Sequence, residues 1–161
     1  MNSKDKYTEV QVAALRLLGH GDYTLIDITS RLIKKGFEPS QVNQDLELLV
    51  SKKWISDERV AQNIWEFYKG QKGHIFIRQK MQLKQVSSDI VESFFQGLKD
   101  SENSEESDPI DYKLISRQLG SRYSINDWSQ LDPATKNKIY GYLARRGFTN
   151  IQAILSKLTN S

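Results

Sequence analysis

Apolar residues recur along this chain three and four positions apart, the spacing that lays a stripe on one side of an α-helix. Val12, Leu15 and Leu18 give the first such stripe, over about Glu9 to Leu18. Thr8 stands where an N-cap belongs, Gln11 completes the capping-box spacing, and Gly19 and Gly21 stop the helix. Leu25, Ile28 and Leu32 form the second stripe, entered through Thr24 with Asp27 three residues on and ended by Gly36, the expected left-handed cap, with Phe37 behind it. The third helix starts near Pro39 and carries Val42, Leu46, Leu49 and Val50, with Trp54 and Ile55 closing the group.

The pattern then repeats. Ser56 caps a fourth helix whose stripe is Val60, Ile64, Phe67 and Tyr68, broken by Gly70 and Gly73. A fifth helix turns Ile77 and Met81 inward, and a sixth, from Ser87 or Ser88, buries Ile90, Val91, Phe94, Phe95 and Leu98. Residues 100–108, DSENSEESD, hold no apolar side chain and read as a flexible linker. Asp108-Pro109 signals the start of a seventh helix burying Leu114 and Leu119, and Asp132-Pro133 that of an eighth carrying Ile139 and Leu143. Tyr123 and Trp128 fall in the loop between, suited either to covering the edge of the third group or to meeting a partner. Ile151, Ile154, Leu155 and Leu158 complete a short last helix.

Three of these helices share a frame. Ile28-x-x-x-Leu32-x-Lys34-Lys35-Gly36-Phe37 matches Ile139-x-x-x-Leu143-x-Arg145-Arg146-Gly147-Phe148 position for position. Ile77-x-x-x-Met81-x-Leu83-Lys84-Gln85-Val86 fits the same frame with Gln85 in the glycine position, which predicts a different ending for that helix. The reading is an all-α fold: an elongated array of three tandem three-helix modules at residues 7–56, 57–99 and 109–161, with an acidic linker at 100–108.

Composition narrows the chemistry. The chain of 161 residues is 38% hydrophobic and 27% charged, lean in core for one large globule and suited to small modules. It has no cysteine, which removes disulfides, thiolate catalysis and cysteine metal sites. The first residues lack a signal peptide's apolar segment and no stretch is long enough to span a membrane, so the expected location is the cytoplasm. Net charge is only +3, but its distribution is uneven. Residues 100–111 carry six acids and no base, and residues 112–161 eight bases against two acids. Between Phe67 and Val86 stand five cations, Lys69, Lys72, Arg78, Lys80 and Lys84, without an acid. That run suits a polyanionic partner; its plainer reading is a solvated basic helix face.

The motifs in order resemble those of the RecX family of bacterial recombination regulators. They are Ala14-Leu15-Arg16-Leu17-Leu18 with Tyr23-Thr24, Leu32-x-x-Lys35-Gly36-Phe37, Trp54-Ile55-Ser56-Asp57-Glu58-Arg59-Val60-Ala61, Ile77-Arg78-Gln79-Lys80-Met81 and Leu143-Ala144-Arg145-Arg146-Gly147-Phe148. The resemblance implies a small, three-module helical protein that binds the RecA–single-stranded-DNA filament and restrains RecA's ATP hydrolysis, strand exchange and filament growth, some members also binding DNA. The chain is expected to be a monomer, with duplex DNA a further expected partner. No cofactor and no membrane partner are expected. Gln85 and Lys80 depart from the family's usual glycine and acid.

On this reading the filament or DNA contacts are Lys69, Lys72, Arg78, Lys80 and Lys84, with Arg31, Lys34, Lys35, Arg145 and Arg146 from the flanking modules. Catalytic and metal-binding residues are expected to be none. His20 and His74 sit in glycine-flanked turns with no ordered carboxylate or serine around them, and His74 reads as a loop residue without a role. Asp57-Glu58 reads as a helix N-terminus favoured by the dipole. Trp54, Trp65 and Phe67, at helical or helix-end positions, read as core rather than as base-stacking platforms. The alternative is a helix-turn-helix-type protein acting on duplex DNA, which a preferred duplex site would reveal.

Overall fold

A computed structural model describes residues 6–101 and 108–160. The described residues form nine α-helices: α1 (Glu9–Leu18), α2 (Leu25–Lys34), α3 (Pro39–Ser51), α4 (Asp57–Tyr68), α5 (His74–Leu83), α6 (Ser88–Ser101), α7 (Tyr112–Tyr123), α8 (Pro133–Arg145) and α9 (Ile151–Thr159). A 3-10 turn at Trp128–Gln130 precedes α8. The single extended pairing among them is one isolated bridge between Gly70 and Ile110, so the all-α expectation holds. The chain divides into two compact units, residues 1–63 with 81–96 and residues 64–80 with 97–161.

In the first unit Val10, Ala14, Ile28, Leu32, Val42, Leu46, Leu49 and Ile55 form one core, where α1, α2 and α3 meet. The ends are fixed by local chemistry. Thr8 and Gln11 close the capping box on α1, the Thr24 hydroxyl accepts from the Asp27 amide, and Pro39 occupies the first turn of α3. Val12, Leu25 and Val50 lie at the edges of their stripes and are exposed. In the second unit the core is Ile115, Leu119, Ile139, Tyr142, Leu143, Phe148, Ile151, Ile154 and Leu158. Ile115, not Leu114, faces inward with Leu119, one helical turn apart on α7. Tyr123 ends α7 rather than lying in a loop, and it and Trp128 cover this core from its edge.

Three corrections to the sequence reading have physical causes. Phe67 is 71% exposed, because Ala61 and Trp65 are buried on α4 with Val60, and the buried arc is centred near Ile64 and Tyr68, roughly 90° away from Phe67 around the helix. Trp54 is 39% exposed, since it belongs to the turn after α3 rather than to a helix face. Asp108 does not start a helix: Asp111 caps α7, its carboxylate accepting from the Leu114 amide at 3.0 Å, while Asp108 is buried and engaged elsewhere. Of the acidic segment, Asp100 and Ser101 belong to α6, and residues 102–107 lie outside the described residues.

The expected difference at Gln85 does not occur. The Phe37 amide donates to the Leu32 carbonyl at 3.2 Å, Val86 to Met81 at 3.0 Å and Phe148 to Leu143 at 3.2 Å, so all three helices end in the same wrapped turn. The residue before each donor is left-handed, with φ of 103° at Gly36, 63° at Gln85 and 82° at Gly147. Gln85 adopts the glycine conformation and bears its steric cost, because the hydrogen bonds and the burial of Val86 hold it there. Replacing Gln85 with Gly therefore raises unfolding stability by about 0.5–1 kcal/mol in urea titration, with helix content by circular dichroism unchanged. Alanine at Gly73 or Gly147 acts in the opposite direction. A Cβ at either would collide with the backbone of the other segment, and the expected loss exceeds about 2 kcal/mol.

Candidate functional site

The second unit assembles cations from sequence segments that lie far apart. Gly73 ends the turn after α4, and its amide donates to the Arg146 carbonyl at 2.9 Å, while the Ile75 amide reaches the Gly147 carbonyl at 3.3 Å. The unpaired amides at the start of α5 thus satisfy unpaired carbonyls at the end of α8. Gly73 and Gly147 allow this approach because neither has a Cβ to interpose. The buried Asp108 carboxylate reinforces it, accepting from the His74 and Thr149 amides, both at 2.9 Å, and from the Thr149 hydroxyl at 3.2 Å. His74 Nε2 stands 3.1 Å from the same carboxylate, and its ring lies 5.7 Å from that of Trp65. His74 is therefore the first residue of α5 with a structural partner, not an idle loop residue.

This contact brings Arg146 to Lys72 and Lys80. Lys72 Nζ sits 4.6 Å from the Phe76 ring centre and Lys80 Nζ 5.4 Å from it. The Arg146 guanidinium lies 4.3 Å from the Tyr142 ring centre, and that of Arg122 5.7 Å from the same ring. The cluster is a basic ridge of four cations over two aromatic rings, Lys72 and Lys80 at Phe76 and Arg122 and Arg146 at Tyr142. None of the four forms an ion pair among the described residues. Arg122, Phe76 and Tyr142 were absent from the sequence reading. The signal that could have found Phe76 and Tyr142 is an aromatic residue four positions before a cation, Phe76–Lys80 and Tyr142–Arg146; Arg122 carries no such signal.

Other expected contacts lie elsewhere or are compromised. Lys69 is paired with Glu66 one turn back, and Arg78 is half-buried on α5 with an interaction of its own. Arg145 is exposed on α8, its guanidinium folding back near Gly141. Arg31, Lys34, Lys35 and Lys84 belong to the first unit. Arg31 is paired with Asp27 at 2.8 Å, which holds its guanidinium above the usual arginine range, and it also lies 5.0 Å from the Tyr23 ring centre. Lys34, Lys35 and Lys84 are exposed at helix ends, and the Lys84 carbonyl accepts from the Thr24 hydroxyl at 3.3 Å.

The Trp54–Ala61 motif has a structural explanation within the first unit. Asp57 accepts from the Leu25 amide at 2.9 Å and so caps α2, and Ser56 caps α4 by accepting from the Arg59 amide at 3.2 Å. The Arg59 guanidinium donates to the Lys53 and Trp54 carbonyls at 2.9 and 2.8 Å and to Asp22 at 3.0 Å. Among the described residues no group of three or more His, Asp or Glu side chains could hold a metal ion, and no helix is long and apolar enough to cross a membrane.

No protein-family model matches the chain. It is 31% identical over 137 residues to the regulatory protein RecX of Haemophilus influenzae strain PittGG, covering 83% of each chain. The regulatory protein RecX of Mannheimia succiniciproducens is 24% identical over 135 residues, covering 84% of this chain and 83% of the other. The crystal structure of RecX from Lactobacillus salivarius superposes with a TM-score of 0.72 at 18% identity, covering 97% of this chain and 96% of that one. That likeness shows a shared fold.

The cluster leaves an electrostatic signature. The Lys72 ammonium is pushed below the ordinary lysine range, first by burial, then by the charges of Arg146 and Lys80. Below that lowered value the folded and unfolded chains both carry the charge, and the folded one bears the full cost of crowding it. Between the lowered value and the ordinary one the unfolded chain binds more protons, so stability rises with pH across that window. Lys72→Met keeps the stem on Phe76 and removes the charge. Its thermal midpoint should exceed that of the wild type at pH 7, with the gain shrinking as pH climbs into the lysine range. Equal midpoints at neutral pH would show that neither burial nor the neighbouring charges strain the Lys72 ammonium.

Proposed function

The chain belongs to the RecX family of regulatory proteins, and from that premise we propose that it binds the RecA–single-stranded-DNA filament and restrains RecA's ATP hydrolysis, strand exchange and filament growth. The observation that carries this reading is the ridge of Lys72, Lys80, Arg122 and Arg146 on Phe76 and Tyr142, with no acid paired to it. Cations so placed meet phosphates by displacing counterions, which makes binding dependent on salt and indifferent to sequence. Lys72 lies in a turn, Arg146 at a helix end, and Lys80 and Arg122 on two different helices, so these four cations do not form a row along one helix, which counts against a sequence reader of duplex DNA at this site.

To restrain turnover the protein must hold one state of the filament better than another, since equal affinity for both shifts nothing. Binding of a small monomer along the filament backbone, with protein and DNA both in reach, supplies such a preference. The three-helix modules at 7–56, 57–99 and 109–161 are part of the proposal: one recurring basic helix end per module would let several weak contacts act as one. No cofactor enters this action, and its place is the cytoplasm.

The test is RecA's DNA-dependent ATP hydrolysis with and without the protein. The wild type lowers the rate, and the Lys72→Met, Lys80→Met, Arg146→Met triple variant loses most of that effect. Its single-stranded-DNA binding should show a salt slope smaller by about 2, three phosphate contacts at roughly 0.7 each. Arg31→Met, whose charge Asp27 already neutralises, changes both measurements little. An unaltered rate with the wild-type protein, or equal inhibition by the triple variant, defeats the proposal.

A further inference from the structure

The first unit carries a second surface of aromatic rings and cations that the filament reading above does not use. Trp54 is 39% exposed, whereas Trp65 is 6% exposed, so Trp54 presents part of its indole to solvent. The Tyr7 ring lies 6.0 Å from it, tilted by 53°. Lys52 Nζ stands 4.9 Å from the Trp54 ring centre, 5.5 Å from that of Tyr7 and 3.5 Å from the Tyr7 hydroxyl. Lys6 and Lys53, next to the two aromatic residues in sequence, are exposed.

The backbone beneath this surface is pinned. The Trp54 amide donates to the Leu49 carbonyl at 2.9 Å, and the Lys53 amide to Val50 at 2.9 Å. Lys53 is left-handed at φ 58°, a conformation costly for any residue with a Cβ, and Arg59 grips its carbonyl and that of Trp54. The indole is thus presented from a rigid turn, partly wet, among ammonium groups. Lys52 lies over the indole and Tyr7 beside it, and a purely acidic ligand would engage the lysines without touching the exposed part of the ring. A nucleobase uses both, stacking on the ring while the adjoining phosphates meet the cations.

We propose that Trp54 is a stacking platform for a base of single-stranded nucleic acid, with Lys52 and Lys53 meeting the neighbouring phosphates. The proposal rests on the reading of the chain as a binder of the RecA–DNA filament and adds to it a contact made through bases rather than phosphates alone. Because stacking releases few counterions, it separates from the basic ridge by its salt dependence.

The experiment uses the full chain with 5-fluorotryptophan at its three tryptophans, the fluorine resonances assigned by Trp→Phe variants, titrated with oligothymidylate of about 15 nucleotides. The Trp54 resonance is expected to move while that of buried Trp65 stays. Trp54→Ala should weaken oligonucleotide binding roughly 5- to 100-fold with the salt slope unchanged, and Trp54→Phe should recover much of the loss. A Trp54 resonance that stays still while the oligonucleotide binds overturns the platform, as does a Trp54→Ala affinity within about twofold of wild type. An equal shift of Trp54 with polyglutamate overturns the choice of a nucleobase. The resonance is read in the wild-type sequence, so a variant that fails to fold does not decide the matter. RecA's ATPase response to the wild-type chain is measured separately, so a silent Trp54 removes the platform alone and an unaffected ATPase removes the filament reading.

Discussion

The contact between the start of α5 and the end of α8 is the one on which the second unit's chemistry depends. Both helices reach that point with backbone groups no longer paired within their own turns, and each supplies what the other lacks: Gly73 and Ile75 amides, Arg146 and Gly147 carbonyls. Two glycines let the backbones approach, and Asp108 ties the His74 and Thr149 amides together from the side. Since Arg146 is the residue whose carbonyl is used, its side chain cannot avoid the neighbourhood of Lys72. Assembly of the basic ridge thus follows from satisfying helix ends, and the contacts with Phe76 and Tyr142 offset part of the repulsion it brings.

The first unit solves the same problem with a side chain. There the Asp57 carboxylate accepts from the Leu25 amide at the start of α2, the role Asp108 has for His74 at the start of α5. In both cases an acid that belongs to the following segment caps the earlier helix, so local sequence around the helix does not reveal its partner. Arg59 then draws Asp22 and the Lys53 and Trp54 carbonyls into one place. Much of the charged motif that resembles the RecX family is thus engaged in holding helix ends, which removes Asp57 and Arg59 from the stock of groups free to meet a partner.

What the chain disclosed in advance follows the range of the forces involved. Caps at Thr8, Thr24, Ser56 and Asp132 and the stop at Gly36 were legible because donor and acceptor lie within one turn in sequence. The cores around Leu46 and Leu143 were legible because helical spacing alone selects a face. Asp108 was misread, since Asp-Pro looks like a helix start unless a distant pair of amides claims the carboxylate first. Gln85 was misread for the opposite reason: the side chain predicts its own preference, and the hydrogen bonds of the finished turn overrule it. Of the ten cations proposed from sequence, Lys72, Lys80 and Arg146 come together, and their meeting rests on a backbone contact that charge counting does not register.

Counting charges also overstates how many can act on a polyanion. Arg31 beside Asp27, Lys69 beside Glu66 and Arg59 beside Asp22 each have an acid at hand, and a phosphate must compete with it before any counterion is released. The ridge cations rest on Phe76 and Tyr142 instead, and a ring holds an ammonium or guanidinium in position without neutralising it. Lys72 holds its proton less tightly than an ordinary lysine, first because it is partly buried and then because Arg146 and Lys80 repel it, and an incoming phosphate relieves that repulsion. Aromatic mounting therefore does what an acid partner cannot: it fixes the geometry of the cations and leaves their field directed outward. A net charge of +3 conceals this, because the acids that balance the total lie largely outside the ridge.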